Sequence, residues 1–395
     1  MPERRSLPAP HAGQRLRIVV TGSIAQYPLG GMTWHHAQYA LGLAAQGHDV
    51  YYVEDTGAAP YDPGSRSLVR DCRANVSYLR DVMARIGLRD RWAYRDPDGT
   101  WMGLSERTRA KVLRSADLLL NVSGMLDRPE DYRDVPRLAY IDTDPVFNQV
   151  KLANGDARFR ARVSAHDVHF SFGERLAIAD TGSGYRWRPT RQPIVLSQWR
   201  PASPPRDVFT TIMSWRARKR SPTHRGQTYG EKDVELLRFI DLPRLVGRGV
   251  IELAMNPGKD AQPPLGRLAA HGWRVVDPQT ACRGIDGYRS YIESSLAEWS
   301  VAKSGYVRGR PGWFSERSAC YLAAGRPVVV EDTGFSSTLP TGEGIVAFRT
   351  LDEAVAGIEA VRGAHARHAE AARAIAAEYF DSDKVLGRLV EQAIA

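Results

Sequence analysis

Cysteine is nearly absent: the 395 residues contain three, at positions 72, 282 and 320. Cysteines this far apart give neither a disulfide framework nor the paired spacing of a zinc site. A small stapled extracellular scaffold is therefore excluded. No apolar run approaches the ~20 residues needed to cross a bilayer, and the opening "MPERRSLPAPHAGQR" has no apolar stretch to act as a leader. A cytoplasmic, reducing location is the expectation, with no stable membrane insertion. Lysine is scarce too, at seven of the 54 basic residues, yet the net charge is +9. No block of five or six like charges occurs and no aromatic–basic RNA motif stands out, which argues against nucleic acid as a partner. The arginine surplus suits an anionic ligand, and it equally follows from the coding bias that raises Ala and Gly.

Several fingerprints are also missing. Neither "TGSIAQYP" nor "SWRARKRS" supplies the G-x-G-x-x-G of a dinucleotide site. No Walker-type G-x-x-x-x-G-K-[ST], H-E-x-x-H or G-x-S-x-G occurs, which sets aside P-loop, metalloprotease and α/β-hydrolase chemistry.

What is present is an alternation of strands and helices over a length that suits two domains. "LRIVV" (16–20) reads as a buried parallel strand, and the loop "IAQYPLGG" leads to a helix that stops at Gly47. "HDVYYVE" then resumes strand character, completing a βαβ unit. "RSADLLLNVSG", "RLAYIDTDP" and "DVHFSFGE" each end in a strand, whereas 55–113 reads mostly as helix and loop. Three prolines in "IVLSQWRPASPPRD" mark a boundary near residue 200. "VFTTIMSW" opens a second series that runs through "GVIELAM", "WRVVDP", "YRSYIESSLAEWSVAK" and "PVVVED" to Ala-rich helices. The expected class is α/β, with two Rossmann-like domains facing across a cleft. Residues 1–200 form the first and 201–375 the second, and a C-terminal helix, 376–395, could pack back on the first.

Ligands in such sheets sit beyond the carboxyl ends of the strands. In "RPGWFSERSACYLAAGRPVVVEDTG" (310–334), Ser315 is placed to N-cap a helix over 316–324 that Gly325 and Pro327 terminate. Free N–H groups and the helix dipole make that first turn an anion site. Arg308, Arg310 and Arg317 offer forks for phosphate oxygens, and Lys303 is expected at a strand end upstream. In "YPLGGMTWHH", Gly30 and Gly31 permit close backbone approach. His35 and His36 are expected in the first helical turn, where the dipole would keep an imidazole neutral and basic. Asp142 and Asp144 of "YIDTDP" alternate on one side of a strand, where they could act as a base or cap the loop before Pro145. Arg216, Lys219 and Lys232 of the basic loop 216–232 could approach a diphosphate or simply be solvated.

These two stretches resemble GT-B class glycosyltransferases. "PLGGMTWHHAQYALGLAAQGHDVYYVED" is similar to their N-terminal Gly-rich loop and helix. "GWFSERSACYLAAGRPVVVEDTG" is similar to their donor site, where a phosphate-binding helix ends in Gly-x-Pro-Val-Val. The resemblance implies a nucleotide-sugar donor on the second domain, with its diphosphate at Phe314–Ser318 near Arg308 or Arg310, Lys303 and, from the basic loop, Arg216. Glu331, Asp332, Thr333 and Gly334 would lie near the sugar, and Gly31 and His35 would face the donor from the first domain. The acceptor, a small natural product or a cell-surface molecule, would sit between the Gly-rich loop and Asp142–Asp144. His35, Asp142 and Asp144 are the catalytic candidates, and no metal or other cofactor is expected. The glutamate that many GT-B enzymes use for ribose aligns with Cys320 here, and the earlier acidic or histidine position with Gly312; Glu316 falls at neither. A nucleotide-sugar 2-epimerase on the same fold and a non-catalytic nucleotide-sugar binder are the alternatives.

Overall fold

The structure, a computed structural model, describes residues 14–176, 184–202, 205–258 and 262–395. The polar segment before residue 14 and two residues of the proline-rich stretch, 203 and 204, lie outside the described residues. The β-branched run Ile18–Val20 is fully buried, as the centre of a parallel sheet covered on both faces requires. That strand, Arg17–Thr21, has Asp49–Glu54 on one side and Leu118–Val122 on the other, in an eight-stranded sheet. Beyond Leu118–Val122 come Arg137–Asp142, Val168–Ser171 and Trp187–Pro189, all parallel. The second sheet has six parallel strands in the order Arg274–Val276, Ile251–Gly258, Phe209–Arg216, Ala297–Ser300, Val328–Glu331, Ile345–Phe348. Counted along the chain this is 3-2-1-4-5-6, the doubly wound order. Each sheet reverses beside its own first strand, and the crevice between the two reversal points is where the halves face each other.

Two local expectations change. Residues 55–113 carry the strands Trp92–Arg95 and Trp101–Gly103, which extend the first sheet to an antiparallel edge. Their signal was the turn "DPDGT", where Gly99 has φ 94° and the Asp96 carboxylate accepts from Thr100 N–H at 2.7 Å. The second change concerns the Gly-rich loop, since the helix already begins at Gly30 and runs to Ala45. Glycine is needed there for clearance. A Cβ on Gly30 would overlap the carbonyl oxygen of Gly284 and the Cβ of Tyr288, and one on Gly31 would press on the Tyr288 ring. The helix thus meets Gly284–Ser294 of the second half almost backbone to backbone, and the Trp34 indole donates to the Ile285 carbonyl at 2.9 Å.

The last helices divide at Phe380. His365–Tyr379 shares a core with Glu316–Ala323 through Ala372, Ile375 and Ala376. Asp381 then caps a new helix, Ser382–Ile394, through the N–H of Asp383. That helix lies on the first half: Gln46 donates to the Ser382 carbonyl, Ile194 N–H donates to the Phe380 carbonyl and Ser382 N–H donates to the Ile194 carbonyl. The chain therefore crosses between halves twice. Among the described residues no helix is long and apolar enough to cross a membrane.

Candidate active site

Where the halves meet, the strand ends enclose a cleft of about 420 Å³, within the range of small-molecule sites. Its floor on the second half is the Glu316–Ala323 helix. Ser315 occupies the N-cap position, but its hydroxyl makes no capping bond, so the first-turn N–H groups keep their capacity for an anion. Lys232, which opens the helix Lys232–Arg238, and Lys303, just beyond Ala297–Ser300, line the same space. Lys232 is buried, and among the described residues no carboxylate lies within ion-pair distance of it. Burial, then the nearby Arg317, hold its ammonium well below the ordinary lysine range. Asn256, Gln279, Cys282 and Arg283 line the outer part on the second half.

The first half contributes Gly31, Met32, His35, Ser123, Thr143 and Phe172. The two adjacent histidines part ways. His36 is fully buried, with Nε2 3.0 Å from Ser23 Oγ, whereas His35 faces the cleft with Nε2 3.1 Å from Ser123 Oγ. Because the helix starts at Gly30, His35 lies in its second turn, beyond the reach of the dipole. Burial is what lowers its pKa, to about 4, so the imidazole is neutral at pH 7.

The other expected site residues distribute as follows. Gly31, Lys303, Ser315, Arg317 and His35 line the cleft. Arg317 is not an open fork: Nε donates to Glu298 at 2.6 Å, Nη1 to the Ile212 carbonyl and Nη2 to Ser300. Its bonds tie the middle of Phe209–Arg216 to the neighbouring strand Ala297–Ser300 beside the cleft. Glu331, Thr333, Phe314 and Ser318 line only a narrow adjoining recess. There Glu331 accepts from Ala302 N–H, Thr333 donates to the Trp313 carbonyl, and Phe314 stacks on Phe380. Asp332 is spent on Arg310 at 3.0 Å and Arg349 at 2.6 Å, and also accepts from Gly334 N–H. Arg308 is exposed on the far side of the helix Ser304–Gly309, and Arg216 pairs with Asp233 outside the cleft.

The two aspartates do not sit side by side. The strand stops at Asp142, whose carboxylate accepts Asp144 N–H at 3.1 Å and turns the chain. Asp142 stays fully buried, bonded to Asn148 and Ser171, and burial raises it to about 6. Asp144 swings across the cleft edge to Lys303 at 3.0 Å, Arg218 and the Tyr306 hydroxyl, and those cations hold it well below the usual carboxylate range. Neither carboxylate lines the cleft.

Sequence reasoning overlooked Glu316. Its carboxyl lines the cleft, accepts from Gln38 Nε2 at 3.3 Å and from the Cys320 thiol, and is raised to about 7 by burial. A carboxylate at the first residue of a helix reads as an ordinary favourable terminus; its burial comes from tertiary neighbours, Gln38 of the first half among them. Ser123 and Thr143 were likewise invisible as lone hydroxyls after strands.

No protein-family model matches the chain, and no curated protein matches it. Its fold does match. An alpha-glucosyltransferase solved with UDP-glucose and DNA containing an abasic site superposes with TM-score 0.58 at 10% identity, over 96% of this chain and 99% of that one. Sucrose-phosphate synthase from Thermosynechococcus elongatus gives 0.55 at 12% identity, over 95% and 98%. HepE of Anabaena in complex with UDP-glucose gives 0.56 at 12% identity, over 96% and 99%. The chain thus has the GT-B fold of two Rossmann-like units, from end to end of these structures. At such identities the likeness is one of fold.

Proposed function

We propose that the chain is a glycosyltransferase, moving a sugar from a nucleoside-diphosphate sugar to a small-molecule (natural-product) or cell-surface acceptor without a metal. The observation that carries this reading is the anion cradle: an uncapped helix N-terminus and Lys232 and Lys303, converging at the reversal point of a GT-B sheet. In this reading the diphosphate lies on Ser315–Glu316 between the two lysines, and the nucleoside extends towards Asn256 and Gln279. The sugar reaches His35 and Ser123. The second half, from about residue 201, would then be the donor domain and the first the acceptor domain. Leu29, Met32 and Phe172 give the first-half wall the apolar surface that a small acceptor could cover.

The helix terminus and the lysines would stabilise the charge that grows on the departing diphosphate, which is where fixed dipoles lower a barrier most. The neutral His35 imidazole is the cleft's base for the acceptor proton; Asp142 and Asp144 are committed elsewhere. Glu316, the carboxyl nearest the first turn, is placed to meet the ribose hydroxyls.

A panel of UDP, TDP, GDP and ADP in the presence of EDTA tests the proposal by thermal unfolding. One of them is expected to stabilise the fold by about 2.7 kcal/mol at a hundred times its Kd, without added metal. Silence from every diphosphate would sink the donor-site reading, and a shift that needs divalent metal would remove the metal-independent part. The same complex should depend on pH. A diphosphate beside Glu316 disfavours its ionised form, so binding takes up a proton wherever the free protein has lost it. Affinity is then expected to fall as pH rises above about 7 and to flatten below it. Calorimetry in buffers of different ionisation enthalpy measures the uptake, and Glu316→Gln should remove that component.

A further inference from the structure

Ser123 is one of five non-glycine residues among those described with a positive φ, here 61°. This region is costly for a residue with a Cβ and persists where the surroundings over-determine it. They do so here. Ser123 follows Leu118–Val122, one of the two strands between which the first sheet reverses, and its N–H donates to the Ile141 carbonyl of the neighbouring strand at 3.0 Å. The turn behind it is pinned by Asn121, whose side-chain carbonyl accepts from Thr21 Oγ1 at 3.0 Å and from Leu126 N–H at 3.2 Å. The next residue, Gly124, also has φ 63° and no room for a Cβ against the Tyr140 ring. A left-handed pair thus lifts one hydroxyl into the cleft, where it stands 3.1 Å from His35 Nε2 and 2.8 Å from Thr143 Oγ1.

We propose that Ser123 is a positioning residue, which fixes the His35 ring in its Nε2–H tautomer and leaves Nδ1 as the basic nitrogen open to the cleft. The role rests on the glycosyl-transfer reading above only for its use in catalysis. A neutral imidazole carries one N–H, and the tautomer is set by which nitrogen finds an acceptor. Ser123 Oγ is such an acceptor at Nε2, while Nδ1 has no hydrogen-bond partner among the described residues. In that arrangement the Ser123 hydroxyl donates in turn to Thr143 Oγ1, a pair in which either hydroxyl can be the donor. Phe172, edge-on to the imidazole at 6.1 Å between centroids, closes the remaining side. In the reaction Nδ1 would take the proton of the acceptor hydroxyl as its oxygen forms the new glycosidic bond. The electrons of the broken sugar–phosphate bond leave with the diphosphate, and the imidazolium later gives the proton up to water.

Nitrogen NMR of the His35 ring tests the tautomer directly, using the full chain with no substrate. Wild type is expected to show a protonated Nε2 and an unprotonated Nδ1. Ser123→Gly keeps the backbone, because glycine accepts this φ without strain, and removes the hydroxymethyl group. It should melt no lower than wild type yet lose the tautomer bias. Turnover should fall about tenfold or more, with nucleotide affinity unchanged. Ser123→Ala removes the same hydroxyl but keeps the strain, so it should show the same tautomer loss with a lower melting midpoint than the glycine variant. A protonated Nδ1 in wild type, or a tautomer unaltered in both variants, would overturn the proposal. If the tautomer behaves as expected but the chain binds no nucleotide, the positioning role stands and the transferase reading fails.

Discussion

Replacing Lys232 with Met is expected to weaken nucleoside-diphosphate binding about a hundredfold while leaving the fold intact. Methionine fills the space of the lysine stem, so the change removes the ammonium without opening a cavity. In the free protein that ammonium is disfavoured by burial and by Arg317, and among the described residues no carboxylate comes within ion-pair distance of it. A diphosphate supplies the missing countercharge in a place that water reaches poorly. Truncating one member of a buried, hydrogen-bonded charge pair costs 2–5 kcal/mol, and about 2.7 kcal/mol corresponds to the hundredfold loss. Titration calorimetry at constant pH checks it. The matched control is Lys384→Met, since Lys384 pairs with Glu378 at 2.6 Å on the C-terminal helices, far from the cradle; its affinity should equal that of wild type. Equal affinity in the Lys232 variant would mean that the diphosphate does not lie in this cradle.

The second large effect concerns stability. Asp144→Ala is expected to destabilise the protein by about 3 kcal/mol, because it strands Lys303 and the Tyr306 hydroxyl at the edge of the cleft and leaves Arg218 with Glu231 alone. Breaking a buried pair from one side costs 3–5 kcal/mol. The lower end applies here because the Asp144 side chain keeps 24% of its surface exposed. Urea unfolding gives the difference, and Lys303→Met added to the variant should recover part of it, since the second change removes one of the stranded charges. The sign with pH follows from a carboxyl held below its unfolded value. The contribution is present above about pH 4, the unfolded pKa of aspartate, and is lost as pH falls through that value towards the folded one. Wild type and variant should therefore converge in acid. A variant that unfolds like wild type and loses only turnover would make Asp144 a catalytic base, as the pairing in "YIDTDP" first suggested.

The misplacements share one cause. Asp332, Arg310, Arg216 and Arg317 are of the right chemical type and stand near the right strand ends, yet each has a protein partner that takes its charge. Sequence patterning reports which residues gather at the carboxyl ends of strands, because that depends on a period of two and on where the apolar run stops. It does not report which of two adjacent side chains finds a countercharge from an element a hundred residues away. The case of Asp144, met by Lys303 and Arg218 from the other half, is of this kind.

The sequence by itself determined the two-unit α/β architecture and the helix that follows Ser315. Those rest on local period, on Gly and Pro as stops, and on short-range capping rules that act within a few residues. Tertiary structure alone decided that Gly30 and Gly31 begin a helix, that His35 owes its neutrality to burial, that burial raises the Glu316 carboxyl to about 7, and that Ser123 holds a strained turn. Each of these is set by how closely the two halves, or two strands distant in sequence, approach one another. Desolvation and clearance depend on that separation, which no window of the chain contains.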